Sequence, residues 1–272
     1  MNKDMNRWQL AVGFIGIPLL YSLVQHYRKT KPKISGKGVY SVVVDMTPTA
    51  SLDEKLQIPV AAQWNNLGLQ KPLVIAMVGL PARGKSYLVK MLQRYLNWTG
   101  YECEVFNVGK YRRTIGLAGA DASFFASDNQ DAGKVREDMA MKVQNMMYDW
   151  LRESVRQYSD ATMMSGHGSP TRPRSESLND KKKVAIFDAT NTTKSRRLKL
   201  IKRAEKEGVS LLFLESICDD QEVLEANYAL KLRNEDYKEM DPAQAKEDFM
   251  ARVMAYEQAY ETIEDDENEG LS

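Results

Sequence analysis

At 272 residues the chain is long enough to bury one sizeable core or two small ones. Its 38 Lys and Arg nearly balance 37 Asp and Glu, so no global field singles out nucleic acid or an acidic partner. Two cysteines far apart in apolar, strand-like surroundings, Cys103 and Cys218, argue against a disulfide framework or a metal site and fit a reducing compartment. With only His26 and His167 available, both in segments unlike a core, chemistry built on a buried histidine has little to draw on.

The first element is "WQLAVGFIGIPLLYSLV", residues 8–24, a run without charge. At about 1.5 Å per residue it reaches roughly 26 Å as a helix, close to a thin bilayer core of about 27 Å. Lys3 and Arg7 precede it, and Arg28, Lys29, Lys31, Lys33 and Lys37 follow it. The heavier charge on the C-terminal side places the rest of the chain in the cytosol, so residues 1–27 read as a membrane anchor. Gln9 and Pro18 count against a clean span, and an interfacial or core-packing helix is the alternative. Residues 28–70 read as a linker, basic at first, in which "VYSVVVDM" at 39–46 is either an added edge strand or an extended arm.

From Lys71 strands alternate with helices. Leu73 to Val78 is a buried strand, Lys85 to Trp98 a helix and "CEVFNV" at 103–108 a second strand. A long helix starts near Asp131, where Ala132, Val135, Met139, Val143, Met146 and Trp150 step by three or four and predict one buried face. "MMSGHGSPTRPRSESLNDKKK", 163–183, has Gly, Ser, Pro and charge without apolar periodicity and predicts a disordered insertion. Ser169 and Ser175 within it are candidate phosphorylation sites. The series resumes with the strand "VAIFDATN" from 184, a helix from about Lys194, a strand at 209–217 and helices at about 220–232 and 242–259. Residues 263–272 form an acidic tail. The alternation predicts an α/β fold with a mainly parallel sheet flanked by helices, residues 71–262 forming one domain.

The chemistry begins at "GLPARGKSY", Gly79 to Tyr87, which a buried strand feeds and a helix leaves. That context makes G-x-x-x-x-G-K-[ST] a phosphate-binding loop and the fold a P-loop nucleoside-triphosphate-binding fold. Gly79 and Gly84 let backbone N–H groups turn around an anion, with Leu80, Pro81, Ala82 and Arg83 completing the loop. Lys85 is placed to reach the β and γ phosphates of ATP, and the Ser86 hydroxyl to ligate Mg²⁺. Asp188 ends the apolar run "VAIF", where an open α/β sheet places its ligands. It is suited either to the metal shell or to accepting the proton of an attacking hydroxyl. Basic residues gather in the connecting segments: "KYRR" at 110–113, "KVR" at 134–136, "KSRR" at 194–197, Lys231 and Arg252. Several guanidinium groups beside a P-loop suit a second phosphate. There is no N-K-x-D for guanine and no aromatic platform of the kind a nucleic acid needs. The residues read as a small-molecule kinase.

With those motifs the sequence resembles the kinase domain of the 6-phosphofructo-2-kinase/fructose-2,6-bisphosphatase family, from about Lys71 to Glu264. The blocks are "GLPARGKSY" at 79–87, "RYLNW" at 94–98, "FNVGKYRR" at 106–113, "FDATNTT" at 187–193, "ESICDD" at 215–220, and "EDFM" with "YEQAYE" at 247–261. The resemblance implies ATP-dependent phosphorylation of fructose 6-phosphate at its 2-hydroxyl. It implies Asp188 as the active-site acid, Cys218 as an active-site cysteine, and Arg112, Arg136, Thr190, Arg196, Arg252 and Tyr256 as fructose 6-phosphate ligands. Asn227 and Lys231 fall in the segment that meets ATP and the transferring group. A homodimer is a further candidate assembly.

Two departures stand out. The chain is one residue shorter than the family pattern between Asn227 and Lys231, so the match of Lys231 rests on the following Leu. The family's phosphatase domain, with its R-H-G histidine, does not follow, and a kinase without the reverse activity is the expectation. A membrane-tethered ATP or sugar-phosphate sensor and a P-loop kinase for another small phosphorylated substrate are the rival readings.

Overall fold

The computed structural model of the chain describes residues 39–45, 72–163 and 183–263. Five strands lie in one sheet: β1 (Val39–Asp45), β2 (Leu73–Val78), β3 (Glu102–Asn107), β4 (Lys183–Asp188) and β5 (Ser210–Ile217). Their spatial order is β1-β5-β2-β4-β3, and every neighbouring pair is parallel. Of the two readings of 39–46, the edge strand is the one the fold adopts, in register with β5 from Val39 opposite Leu211 to Asp45 opposite Ile217. The anchor segment 8–24, residues 164–182 of the insertion expected at 163–183, both histidines and the tail beyond Ile263 lie outside the described residues, while Met163 ends the long helix and Lys183 opens β4.

Parallel neighbours need helical crossovers, and these cover both faces of the sheet. They are α1 (Lys85–Trp98), α2 (Val108–Arg112), α3 (Gln130–Met163), α4 (Lys194–Glu207), α5 (Gln221–Lys231) and α6 (Pro242–Gln258). β2 is buried at all of its positions, "LVIAMV", because it runs through the middle of three layers. Its alternation divides the core. Leu73, Ile75 and Met77 join Leu88, Val89, Leu92 and Leu96 of α1, whereas Val74, Ala76 and Val78 join α3 and α4 on the other face.

Helix limits follow from side chains. Thr193 accepts from the Arg196 N–H at the start of α4, Asp220 from Val223 at the start of α5, and Asp241 from Ala243 and Gln244 before Pro242 opens α6. Gly208, at φ 68°, closes α4 in the left-handed conformation.

The buried face of α3 differs from the expected stripe. Ala132, Met139 and Val143 are buried as expected, but Val135 and Met146 are 41% and 52% exposed, and Ala140, Met147, Tyr148 and Leu151 point inward instead. Ala140, Val143, Met147 and Leu151 make a continuous row at helical spacing, and methionines on both sides of it make the phase ambiguous from sequence. One turn before Ala140 the same row holds Arg136, where the helix outruns the core and reaches the cleft.

Candidate active site

The C-terminal ends of β2, β3 and β4 open into a cleft of about 1080 Å³. Ten Lys or Arg residues line it against four Asp or Glu, in a chain whose overall charge is close to zero. Positive charge has therefore been collected at one place.

Its floor is the loop after β2. Gly79 has φ +132°, and a Cβ there would sit 2.5 Å from the carbonyl oxygen of Ser216 on β5. Gly79→Ala is expected to destabilise the fold by about 2–4 kcal/mol and to weaken nucleotide binding, checked by thermal unfolding with and without ATP; an unshifted Tm would contradict it. Ala82 is also left-handed, at φ 60°, and its carbonyl is held by the Asn227 side chain at 2.9 Å. The Ser216 hydroxyl donates to the Arg83 carbonyl at 2.5 Å, and the Gly79 N–H donates to the Thr190 carbonyl at 3.0 Å. Neighbouring strands thus fix the loop from both sides. α1 starts at Gly84 with no side-chain cap and no acidic residue in its first turn, so its first N–H groups and dipole remain available to an external anion.

Lys85 is 8% exposed and donates to the Leu80 carbonyl, across the loop. Burial pulls its ammonium down to about 7; Asp188 opposes this, while Lys231, Arg83 and Arg252 add to it. Asp188 ends β4 directly opposite Asn107 at the end of β3. Its Oδ2 accepts from the Asn107 side-chain amide and from the Ser86 hydroxyl, the latter at 3.4 Å. Burial raises its pKa, and Lys85, Asn107, Lys231 and Ser86 pull it back. Lys231 feels burial in the same sense as Lys85, which lowers its pKa, and Asp188 offsets it. Asn227 and Lys231 are four residues apart on α5, and both line the cleft.

The opposite wall is drawn from several elements. Arg112 and Arg113 end α2 and begin the next turn, Arg136 belongs to α3, Arg196 to α4, and Arg252 and Tyr256 to α6. Arg136 donates to the carbonyls of Phe124 and Ala126 at 2.8 and 3.1 Å, and burial lowers its pKa. Arg196 is held by Asn191 at 3.2 Å and by Glu137 at 3.6 Å. Arg252 lies over the Phe125 ring at 3.7 Å, and its buried Nε has no partner among the described residues.

Most of the expected site residues meet here: Pro81, Ala82, Gly84, Lys85, Ser86, Tyr87, Asp188, Thr190 and Asn227 line the cleft along with Lys231 and the arginines above. Four expected residues do not: Gly79, packed against the Ser216 backbone of β5, and Arg83, Leu80 and Cys218. Arg83 turns its guanidinium away to the Tyr228 hydroxyl at 3.2 Å and Glu257 at 3.3 Å, bracing the loop against α5 and α6. Leu80 contributes its carbonyl to Lys85. Cys218, just past β5, is 1% exposed and is not among the lining residues. Within the basic set, Arg197 is wholly buried and structural: it donates to the carbonyls of Asn191, Glu261 and Thr262 at 2.8–3.2 Å. It thereby fastens the segment after α6 across the top of the sheet.

Asn107, Asn191 and Asp236 escaped the reading of sequence. Asn107 both orients Asp188 and caps α2 through the Lys110 N–H at 2.7 Å. Its place at a strand end inside "FNVGKYRR" was the available signal. Asn191, left-handed at φ 45° and fully buried, ties the Met77 carbonyl at 2.7 Å to Arg196. Asp236 sits in the polar stretch "RNEDYKEM", where nothing periodic marks it.

The model of the 6-phosphofructo-2-kinase family matches residues 61–162 and 175–272. The chain is 44% identical over 208 residues to a 6-phosphofructo-2-kinase/fructose-2,6-bisphosphatase of Caenorhabditis elegans, covering 74% of this chain and 40% of that one. It is 41% identical over 202 residues to 6-phosphofructo-2-kinase 1 of Saccharomyces cerevisiae, covering 72% of this chain and 21% of that one. Against the rat 6-phosphofructo-2-kinase/fructose-2,6-bisphosphatase 4 the identity is 39%, with 74% and 38% covered. The chain spans well under half the length of each of these relatives.

Proposed function

The chain belongs to the 6-phosphofructo-2-kinase family, and from that premise we propose that it transfers the γ-phosphoryl group of ATP to the 2-hydroxyl of fructose 6-phosphate. The products are ADP and fructose 2,6-bisphosphate. One observation carries the reading: a P-loop lysine and a buried strand-end carboxylate face a wall of arginines from α2, α3, α4 and α6 across one cleft. Its volume, about 1080 Å³, exceeds what a single drug-sized ligand needs and suits two anionic substrates side by side.

The loop N–H groups and Lys85 hold the triphosphate, and the arginines hold the sugar phosphate so that its 2-hydroxyl lies in line with the γ-phosphorus. Asp188 accepts the hydroxyl proton as the new P–O bond forms and the bond to the β-phosphate oxygen breaks. Lys85 and Lys231, both beside Asp188, take up the charge that develops on the transferring group. The Ser86 hydroxyl and Asp188 carboxylate lie 3.4 Å apart, and no cluster of three acidic, His or Cys ligands forms among the described residues. One protein oxygen, the Ser86 hydroxyl, would suit Mg²⁺, which keeps waters and phosphate oxygens for the rest of its shell and leaves the Asp188 carboxylate to the proton. When bound with the nucleotide, the ion neutralises phosphate charge. Cys218 we assign to packing at the end of β5.

The test is ATP-dependent formation of acid-labile fructose 2,6-bisphosphate from fructose 6-phosphate. Tight ATP binding without product would overturn the reading in favour of a sensor. We also propose that residues 8–24 hold the chain at a membrane, supported by their lack of charge and their basic flanks. Among the described residues no helix is long and apolar enough to cross one. Carbonate-resistant retention lost on deleting residues 1–30 is the expected result; complete release of the intact chain would end the idea.

A further inference from the structure

Asp236 lies on the segment between α5 and α6 and is 7% exposed. Three guanidinium groups from different elements converge on its Oδ2: Arg112 at 2.5 Å, Arg252 at 3.5 Å and Arg113 at 3.8 Å. Its Oδ1 accepts from the Gly119 N–H at 3.3 Å, so the same carboxylate also fastens the loop that follows α2. Arg112 is itself buried and divides its donors between Asp236 and the Leu117 carbonyl. Phe125 receives Arg252 at 3.7 Å and Arg112 at 5.5 Å, so two cations share one ring. Left alone, such a group would splay apart by mutual repulsion and by the rotamer freedom of long side chains.

We infer that Asp236 is a positioning residue for the phosphate of the sugar substrate, locking Arg112 and Arg252 in one arrangement before that substrate arrives. The inference rests on the assignment of this wall to fructose 6-phosphate. Asp236 anchors Arg252 by one terminal nitrogen and Phe125 fixes its plane. The buried Nε of Arg252, without a hydrogen-bond partner among the described residues, then remains for an incoming anion. Burial would raise the Asp236 pKa, but the Arg112 hydrogen bond and the charges of Arg112 and Arg252 carry it below the usual carboxylate value. The carboxylate is therefore charged whenever the site works. Holding the arginines in place costs some attraction for the phosphate, because a negative charge now sits behind them. Preorganisation outweighs that loss if ordering the side chains on binding would otherwise consume the gain.

The two effects have opposite signs, and Asp236→Asn separates them because it keeps the shape and removes the charge. The KM for fructose 6-phosphate is expected to rise roughly tenfold or more while the KM for ATP stays within about twofold. In an Arg252→Ala background the same substitution should cost much less, since it acts through Arg252. A lower KM for the sugar phosphate, an equal rise in both KM values, or full additivity with Arg252→Ala would each overturn the inference. If Asp236→Asn no longer binds ATP, Asp236→Glu, which keeps the charge and displaces it by a methylene, is read in the same way, with a smaller but still selective KM increase expected. Failure of the wild-type chain to turn over fructose 6-phosphate would instead sink the underlying assignment, a result visible before any variant is made.

Discussion

Lys85→Met lowers phosphoryl transfer by on the order of 10³-fold in kcat/KM, the size expected when a positioned donor to developing charge is removed from a water-poor site. Lys85 is nearly buried, next to Asp188, Lys231 and Arg252, and burial holds its pKa near 7. The triphosphate favours the ammonium form, so its arrival restores a proton that burial had made easy to lose. The sign is fixed by that order. At pH 8 the free chain holds Lys85 largely neutral and ATP binding takes up a proton; at pH 6 the proton is already present and uptake vanishes. Apparent ATP affinity therefore falls as pH rises through about 7. Calorimetric titrations at pH 8 in buffers of different ionisation enthalpy report the uptake directly. Equal uptake by wild type and Lys85→Met would refute the assignment, as would variant activity within tenfold of wild type.

Asp188→Asn keeps the volume of the side chain and removes its capacity to take a proton. A fall in kcat of about 10³-fold is expected, within the range of general acid–base catalysis. ATP binding should change by only a few-fold, because the loop N–H groups and Lys85 are untouched. The register of β3 and β4 places Asp188 beside Asn107, and both the Asn107 and Ser86 bonds end on Oδ2. An amide at 188 can turn its oxygen to the same two donors, so the fold survives and the loss is chemical. Single-turnover measurements with saturating fructose 6-phosphate decide the matter: a rate within tenfold of wild type would move the proton acceptor elsewhere in the cleft.

The order of elements was legible along the chain because it depends on local pattern. A continuous apolar run bounded by glycine made β2, G-x-x-x-x-G-K-S made the loop, and Thr193, Asp220 and Asp241 are side chains whose capping role is local. Asp188 was readable for the same reason, as an acid at the end of an apolar strand. The face of α3 was not, since Met141 and Met146 are as apolar as the buried Met139 and Met147 and only the neighbouring sheet selects between them.

Sequence by itself determined the alternating α/β order, the phosphate loop and the stock of arginines, because each rests on residues within a turn or two of one another. Tertiary structure alone decided which arginines serve the cleft and which serve the fold. Arg197 and Arg196 are adjacent in sequence, yet a helix turns neighbours about 100° apart, so one is buried under the segment after α6 and the other lines the cleft. It also decided that Asp236, more than a hundred residues from Arg112, would bring that arginine and Arg252 to a single carboxylate. No spacing rule announces such a meeting, because the free energy that drives it comes from burying charge among partners that only the completed fold assembles.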